Sequence, residues 1–383
     1  MSSRTVFRIA VPLLATMVAI VATSVPAVAA TGWSVVASPN AGAGSNVLQG
    51  VSCASATSCV AVGHFTSSGG NWHTLVESWS GTKWSVVHSP NGGGVNGMDT
   101  LTGVSCASAT SCKAVGNIGS QQQLIESWNG IAWSIDRSPK AASGYVLSSV
   151  SCASTTSCKA VGSSNQGTAA IESWNGKQWS LGTSPYVATD DLLDGVSCTS
   201  PTSCKAVGYY LHQGSPLTTD QTLIESWNGR KWSIDTSPDG GGTSALNLLS
   251  AVSCSSATSC KAVGEYQFGP SLGQALVESW NGRKWSIEAG PIGASPANAL
   301  YGTSCVSATS CTAVGSFDNS SGGNAQTLVA SWNGTKWKAV KSPNPSVGYD
   351  TLAGVSCLAT SCQAVGAATN ATNFDRTLVE AGP

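Results

Sequence analysis

Seven copies of a unit of roughly fifty residues fill this chain, and its two end copies are incomplete in complementary ways. The clearest unit reads Leu193-Asp-Gly-Val-Ser-Cys198, five residues, then Cys204-Lys-Ala-Val-Gly208. A variable stretch follows, then Leu223-Ile-Glu-Ser-Trp227-Asn-Gly229, Trp232 and Pro238. The repeats open with an orphan second half, Trp33 to Pro39, and close with an orphan first half, Thr377-Leu-Val-Glu380. Two halves make one unit. The ends are therefore expected to meet and close a ring.

Each copy holds four short runs of β-forming residues bounded by Gly, Pro, Asn or Ser. Strand a ends in Val-Ser-Cys (Thr-Ser-Cys in the sixth copy), and strand b is Cys-x-Ala-Val-Gly. Strand c is Leu-(Ile/Val)-Glu-Ser-Trp or a close variant. Strand d starts at the second Trp and stops before a Pro, which has no N–H for a ladder. The first Cys recurs at 53, 106, 152, 198, 254, 305 and 357, a spacing too uneven for a helical solenoid without helix signals. A β-helix would need a shorter period and distinct end caps. The expected fold is all-β: a seven-bladed β-propeller with four antiparallel strands per blade, the N-terminal strand completing the last blade.

Residues 1–30 read as a secretory leader, with Arg4 and Arg8 before an apolar run from Ile9 to Val25 and small residues at Ala27-Val-Ala29. Residues 31–383 are expected to form one domain, exported and extracellular, with no membrane anchor. The 14 cysteines fall into seven local pairs: Cys53/Cys59, Cys106/Cys112, Cys152/Cys158, Cys198/Cys204, Cys254/Cys260, Cys305/Cys311 and Cys357/Cys362. Even, regular usage in an exported chain predicts disulfides. Each would close an a–b hairpin over a short loop, hardening the ring more than shaping it. The four His do not recur with the Cys, so no metal site and no cofactor are expected. Lys and Arg total 18 against 19 Asp and Glu, which disfavours nucleic acid as a partner.

The combined Val-Ser-Cys-(x5)-Cys-x-Ala-Val-Gly and Glu-Ser-Trp-Asn-Gly-(x2)-Trp pattern resembles repeat proteins exported by high-GC Gram-positive bacteria. Period and Trp placement are also similar to the kelch and galactose-oxidase-like propellers. The resemblance implies a propeller-like fold and export; it implies no activity.

Alternating strand direction puts the a–b and c–d loops on one face and the b–c and d–a loops on the other. The first face repeats nearly the same residues in every blade, whereas the second differs in every blade, and function usually sits on varied loops held by a rigid scaffold. Every Tyr and every Phe after the leader lies in the variable segments, as does Trp72. Phe65, Tyr210, Tyr266 and Phe317 share one position, the second after the strand-b Gly, and read as caps on the blade cores. Trp72, Tyr186, Tyr209 and Tyr349 do not recur, and with Asp190, Asp191, Asp318 and Asp350 they are the candidate ligand contacts. The variable face also carries Asp194 and Asp220 among ten acids, opposed only by Lys140 and Arg376, while the c–d turns are basic.

Four blades have Lys after the second Cys and Glu in strand c: Lys113 and Glu126, Lys159 and Glu172, Lys205 and Glu225, Lys261 and Glu278. Pairing Val115 with Leu124 would set each Lys directly across from its Glu, predicting structural ion pairs. The same reading puts an Asn-Gly two-residue hairpin between strands c and d, with Glu126 opposite Trp133. No catalytic residue is assigned. The expected function is a non-catalytic extracellular module, a monomer, whose partner is a glycan, a cell-wall polymer or a protein. One alternative is a carbohydrate-active enzyme using loop carboxylates, with Asp190, Asp191 and Asp194 or Asp318 and Asp350 as sources. Another is a protein–protein scaffold.

Overall fold

The computed structural model describes residues 32–93, 97–119, 122–139, 144–187, 190–213, 218–268, 273–291, 297–318 and 324–383. The leader read over 1–30 lies outside these residues, as does Lys140. Seven four-stranded antiparallel sheets make up the chain. Blade 2 is representative, with strands Asp99–Ser108, Ser111–Ile118, Gln122–Trp128 and Trp133–Ile135 in that spatial order. The last sheet takes three strands from the C-terminus and its outermost from the N-terminus, where Ser34 pairs with Ala381 and Val35 with Glu380. The fold is a seven-bladed β-propeller closed by its own ends.

No blade has a core of its own. The Val62 and Val76 side chains of blade 1 pack against Leu101, Ala114, Leu124 and Trp133 of blade 2. The same arrangement recurs around the ring and ends with Val365 and Val379 of blade 7 against Leu48, Ala61, Leu75 and Trp84 of blade 1. Successive strand residues point to opposite sheet faces, so each strand feeds two such interfaces. That is why Ala-Val and Leu-Ile read as unbroken apolar runs rather than alternating ones.

The Ser of each Val-Ser-Cys has a purpose that only the closed ring reveals. Ser52 Oγ accepts the backbone N–H of Cys106 in the next blade at 3.0 Å, and Ser105, Ser151, Ser197, Ser253 and Ser304 repeat this bond. Ser356 returns it to Cys53 at 3.0 Å, completing the circle. Just above, glycines let the inner strands approach: a Cβ on Gly354 would lie 3.2 Å from the Gly50 Cα, and one on Gly195 2.9 Å from the Ala251 Cα.

All seven expected cysteine pairs are bonded, each joining residues directly opposite one another in the a–b hairpin. Such density marks a protein of an oxidising, extracellular setting. The bridges have a role besides hardening the ring, because the two cysteines of a pair are not equivalent. The first stands half-buried at the edge of the core, as Cys53, Cys106 and Cys254 do. The second is buried within it: Cys59, Cys112, Cys158, Cys204, Cys260, Cys311 and Cys362 each belong to the apolar cluster between two blades. Alternation explains this, since the second Cys lies two residues before the strand-b Ala and shares its face, as Cys112 does with Ala114. Half of each bridge is thus core packing, a role that pairing and spacing did not disclose.

Two expectations about register fail. Val115 pairs with Ile125, not Leu124, so Lys113 faces Ser127 and Glu126 faces Ala114. A slip of one residue sends a side chain to the other face, and the predicted Lys–Glu pairs do not form. Lys113 instead bonds Asp136, just past strand d, at 2.7 Å, Lys205 bonds Asp235 at 2.5 Å and Lys261 bonds Glu288 at 2.6 Å. Each ammonium also lies over a Trp of the next blade: Trp174, Trp280 or Trp332, at 3.5, 3.7 and 3.7 Å from the ring centre. The next blade's second Trp donates its indole N–H to the same acid, as Trp179 does to Asp136 at 3.0 Å. Lys159 sits over Trp227 at 3.9 Å, but Gly182 occupies its acid's position, and burial lowers its pKa. Across the c–d turn, Trp128 pairs with Trp133, so the connection is four residues long and Glu126 faces Ile135.

The strand-c glutamates meet serines of the preceding blade. Ser89 Oγ donates to both carboxyl oxygens of Glu126 at 3.0 and 2.8 Å; Ser38 serves Glu77, Ser184 serves Glu225, Ser237 serves Glu278 and Ser342 serves Glu380. Ser138 stands at the same place beside Glu172. Burial pushes these carboxyls up, to about 8 for Glu126 and Glu278 and about 7 for Glu77, Glu172, Glu225 and Glu380. In blade 6, Ala330 replaces the Glu, and the preceding Ser-Pro has become Gly290-Pro291. Thr312 and Ala330 are therefore two separate losses rather than the loss of one ion pair.

Candidate functional site: the mouth of the central channel

The repeated face is committed to structure. The first Trp of each complete c–d unit donates its indole N–H to a carbonyl of the a–b loop, as Trp79 does to Ala56 and Trp128 to Ala109, at 3.1 and 3.2 Å. The turn Asn accepts two backbone N–H groups, as Asn228 does from Arg230 and Lys231 at 3.0 Å each. These bonds account for the invariance of both loops.

On that face, strand a begins with a buried Asn or Asp two residues before its core Leu in six blades: Asn46, Asp99, Asp191, Asn247, Asn298 and Asp350. Their side chains organise the incoming loops. Asn46 accepts from the Ala41 and Gly42 N–H groups, Asp99 from Gly93, Asn247 from Gly241 and Asp350 from Ser346. Asp191 accepts from Val187 at 2.9 Å. Asp191 and Asp350 are each only 1% exposed, which takes both out of the set of ligand contacts proposed from sequence.

Along the ring axis runs a channel of about 180 Å³, lined by three consecutive residues of every inner strand. The first of each three is a β-bulge residue left without a cross-strand partner: Gln49, Thr102, Ser148, Asp194, Ser250, Tyr301 and Ala353. A bulge re-aims a side chain without breaking the sheet, and these seven positions carry six residue types while their neighbours largely repeat. Asp194 is the one acid among the lining residues, and Lys, Arg and His are absent from them. Burial raises its carboxyl to about 6, a rise moderated by a hydrogen bond with Ser148 of the adjoining blade.

Two unlike groups of side chains connect to the channel lining. In blade 1, Trp72 stacks on His64 with ring centres 4.3 Å apart and planes 18° apart, and bridges to Met98 of the next blade. His64 lies 3.4 Å from the Thr100 hydroxyl, which donates to Gln49 of the channel lining at 3.2 Å. Burial lowers the His64 pKa, against a smaller upward pull from Asp375, so its imidazole is neutral at pH 7. In blade 4, Asp194, Asp220 and Asp190 all act on the Tyr209 phenol, whose pKa is raised first by burial and then by these three carboxylates. Asp220 is itself raised by burial and by Asp190. Asp190 is exposed, with a left-handed φ of 58°, a conformation Asp tolerates better than most residues.

Of the eight candidates, Trp72 connects to the lining residue Gln49 through His64 and Thr100, and Tyr209 interacts with Asp190 and with the lining residue Asp194. Tyr186 and Tyr349 stand farther out on the d–a loops, exposed by 68% and 57%. Asp318 ends strand b of blade 6, its N–H bonded to the Ala297 carbonyl. Phe65, Tyr210, Tyr266 and Phe317 pack against the blade cores, in keeping with their recurrence. Gln49, His64 and Tyr301 were missed. A bulge carries no sequence mark, although variation at this one place among repeating neighbours was readable. Among the described residues, no group of three His, Cys, Asp or Glu is placed to share a metal ion. A second cavity of about 450 Å³ lies between blades 2 and 3, but its Trp174 ring already holds Lys113 and its Asp136 already serves Trp179.

No protein-family model and no curated protein sequence matches the chain. Solved structures do. One titled YCF48 bound to D1 peptide aligns over 94% of this chain and 98% of its own, with 12% identity and a TM-score of 0.56. Sqt1 from Chaetomium thermophilum aligns over 88% and 81%, with 7% identity and a TM-score of 0.51. An Aleuria aurantia lectin in complex with alpha-methyl-L-fucoside covers 78% and 94%, with 13% identity and a TM-score of 0.47. At these identities the likeness is one of fold.

Proposed function

We propose that the protein is a secreted, non-catalytic binding module that takes a neutral glycan across its variable face. The observation that carries this reading is the one-sided display of aromatic rings. Trp72, Tyr186, Phe268, Tyr349 and Phe374 are all exposed on b–c or d–a segments, whereas on the opposite side the first Trp of each pair is spent on an indole N–H bond to the a–b loop, and Trp174, Trp227, Trp280 and Trp332 also hold a lysine. Flat apolar rings beside carboxylates suit sugars, which offer C–H faces for stacking and hydroxyls for donation. An acidic polymer would meet mostly like charge here, because the carboxylates of this face outnumber its described base, Arg376.

An array of neutral and acidic oligosaccharides, probed with the wild type and with Trp72→Ala and Tyr349→Ala, tests the reading. The expected result is binding of neutral glycans that weakens at least several-fold in one or both variants, with the oligosaccharide recovered uncleaved. Cleavage would move the protein to the carbohydrate-active enzymes. Binding lost instead on removing Lys231 and Arg283 would favour a wall polymer on the opposite face. An empty array followed by capture of a polypeptide would favour the scaffold.

A further inference from the structure

The channel itself has a chemistry that the glycan reading does not use. Its lining holds one carboxyl, Asp194, and no base. Among the described residues, the ion pairs involve Lys113, Lys205 and Lys261 and none involves Asp194. The titratable groups gathered with it in blade 4 are Tyr209, Asp190 and Asp220, so the local field is negative from every side on which a titratable group stands. The remaining lining side chains are small, apolar or neutral polar, apart from Tyr301. That Tyr stands two blades from Asp194, 40% exposed, with its hydroxyl 3.2 Å from Ser316 Oγ. A carboxylate on one wall and an aromatic ring on another are the two groups that attract an organic cation when water is partly excluded.

Size narrows the class further. A cavity of about 150 Å³ accommodates one benzene, so about 180 Å³ has room for a single head group on a slender stem. We infer that the central channel is a binding site for an ammonium or guanidinium head group, held by Asp194 with Ser148 positioning the carboxylate and Tyr301 facing the cation. The site stands independently of the glycan reading, since it uses the ring axis rather than the loop aromatics.

The bulge position accepts Gln, Thr, Ser, Ala and Tyr in the other blades, so Asp194→Asn should leave the fold intact, which far-UV circular dichroism and the thermal midpoint check. The mature chain in sodium phosphate is titrated by calorimetry with n-butylammonium, with n-butylguanidinium and with n-butanol. The expected result is binding of one or both cations and none of the alcohol, the preferred cation telling a lysine-like from an arginine-like ligand. Asp194→Asn should weaken cation binding at least tenfold. Lowering the pH from 7.5 to 5 should weaken it about tenfold in the wild type, because a carboxyl titrating near 6 is then mostly protonated. Cation binding that survives Asp194→Asn unchanged, that ignores pH, or that the alcohol matches would overturn the inference, as would no binding of either cation. None of these outcomes bears on the glycan array.

Discussion

Glu126 is wholly buried and its carboxyl is pushed up to about 8, chiefly by loss of water and further by Asp99, with the Ser89 hydrogen bond pulling the other way. In the unfolded chain it should titrate near its ordinary 4.5. A carboxyl raised by folding binds its proton more tightly in the native state, so its contribution is fully present below pH 4.5 and is lost as the pH rises to about 8. At about 1.4 kcal/mol per pH unit, the loss from Glu126 reaches about 3 kcal/mol at pH 7 and about 5 kcal/mol above pH 8. Glu126→Gln keeps the shape and a hydrogen-bond acceptor for Ser89 but cannot ionise. Guanidinium unfolding with disulfides intact, repeated from pH 4 to pH 8.5, should show the wild type weakening across that window. The variant should match or trail the wild type at pH 4 and gain about 4 kcal/mol on it by pH 7.5. The other five strand-c glutamates titrate in both proteins, so the difference isolates one group. Parallel curves for the two proteins across the whole range would refute the assignment of Glu126 as a buried carboxyl of raised pKa.

Further perturbations probe the ring itself. Ser52→Ala strands the Cys106 N–H at the inner rim and should cost roughly 1–3 kcal/mol in chemical unfolding. Gly182→Asp supplies Lys159 with the acid that Asp136, Asp235 and Glu288 give its counterparts, and should add roughly 1 kcal/mol, read as a higher thermal midpoint. Replacing Cys53 and Cys59 together by Ala should cost roughly 3 kcal/mol in chemical unfolding, about 2 from reopening a short loop and about 1 from the sulfur lost between blades. That variant should still fold and show an unchanged far-UV spectrum.

The architecture was legible because repetition averages over local ambiguity. Trp33–Pro39 and Thr377–Glu380 complete each other whichever residues fill the loops, and their pairing at Val35 and Glu380 follows. Side-chain partners were less legible, because register within a blade hangs on one residue. The variable b–c loops do not fix it, so Glu126 was set against Lys113 rather than against Ser89 of another blade. The signal was present in the joint change of Gly290 and Ala330, but reading it required comparing each blade with its predecessor. The cysteines divide the same way: spacing gave the partners of Cys112, Cys158, Cys260 and Cys311, while their burial depends on a neighbouring blade. The same holds for Asp191 and Asp350. As isolated loop acids they suggest contacts; as members of a column with Asn46, Asp99, Asn247 and Asn298 they are loop fasteners. Strand alternation could not place Asp194, since alternation fails at a bulge, and only the variation of that position among repeating neighbours marked it.

Recognition at the variable face is the central claim, and amide hydrogen exchange with and without the strongest glycan from the array tests it most directly. Protection is expected in peptides covering 64–76, 98–102, 186–194 and 345–350, with the c–d turns at Asn129, Asn228 and Asn281 unchanged. Protection confined to those turns would contradict the claim and move recognition to the opposite side of the ring.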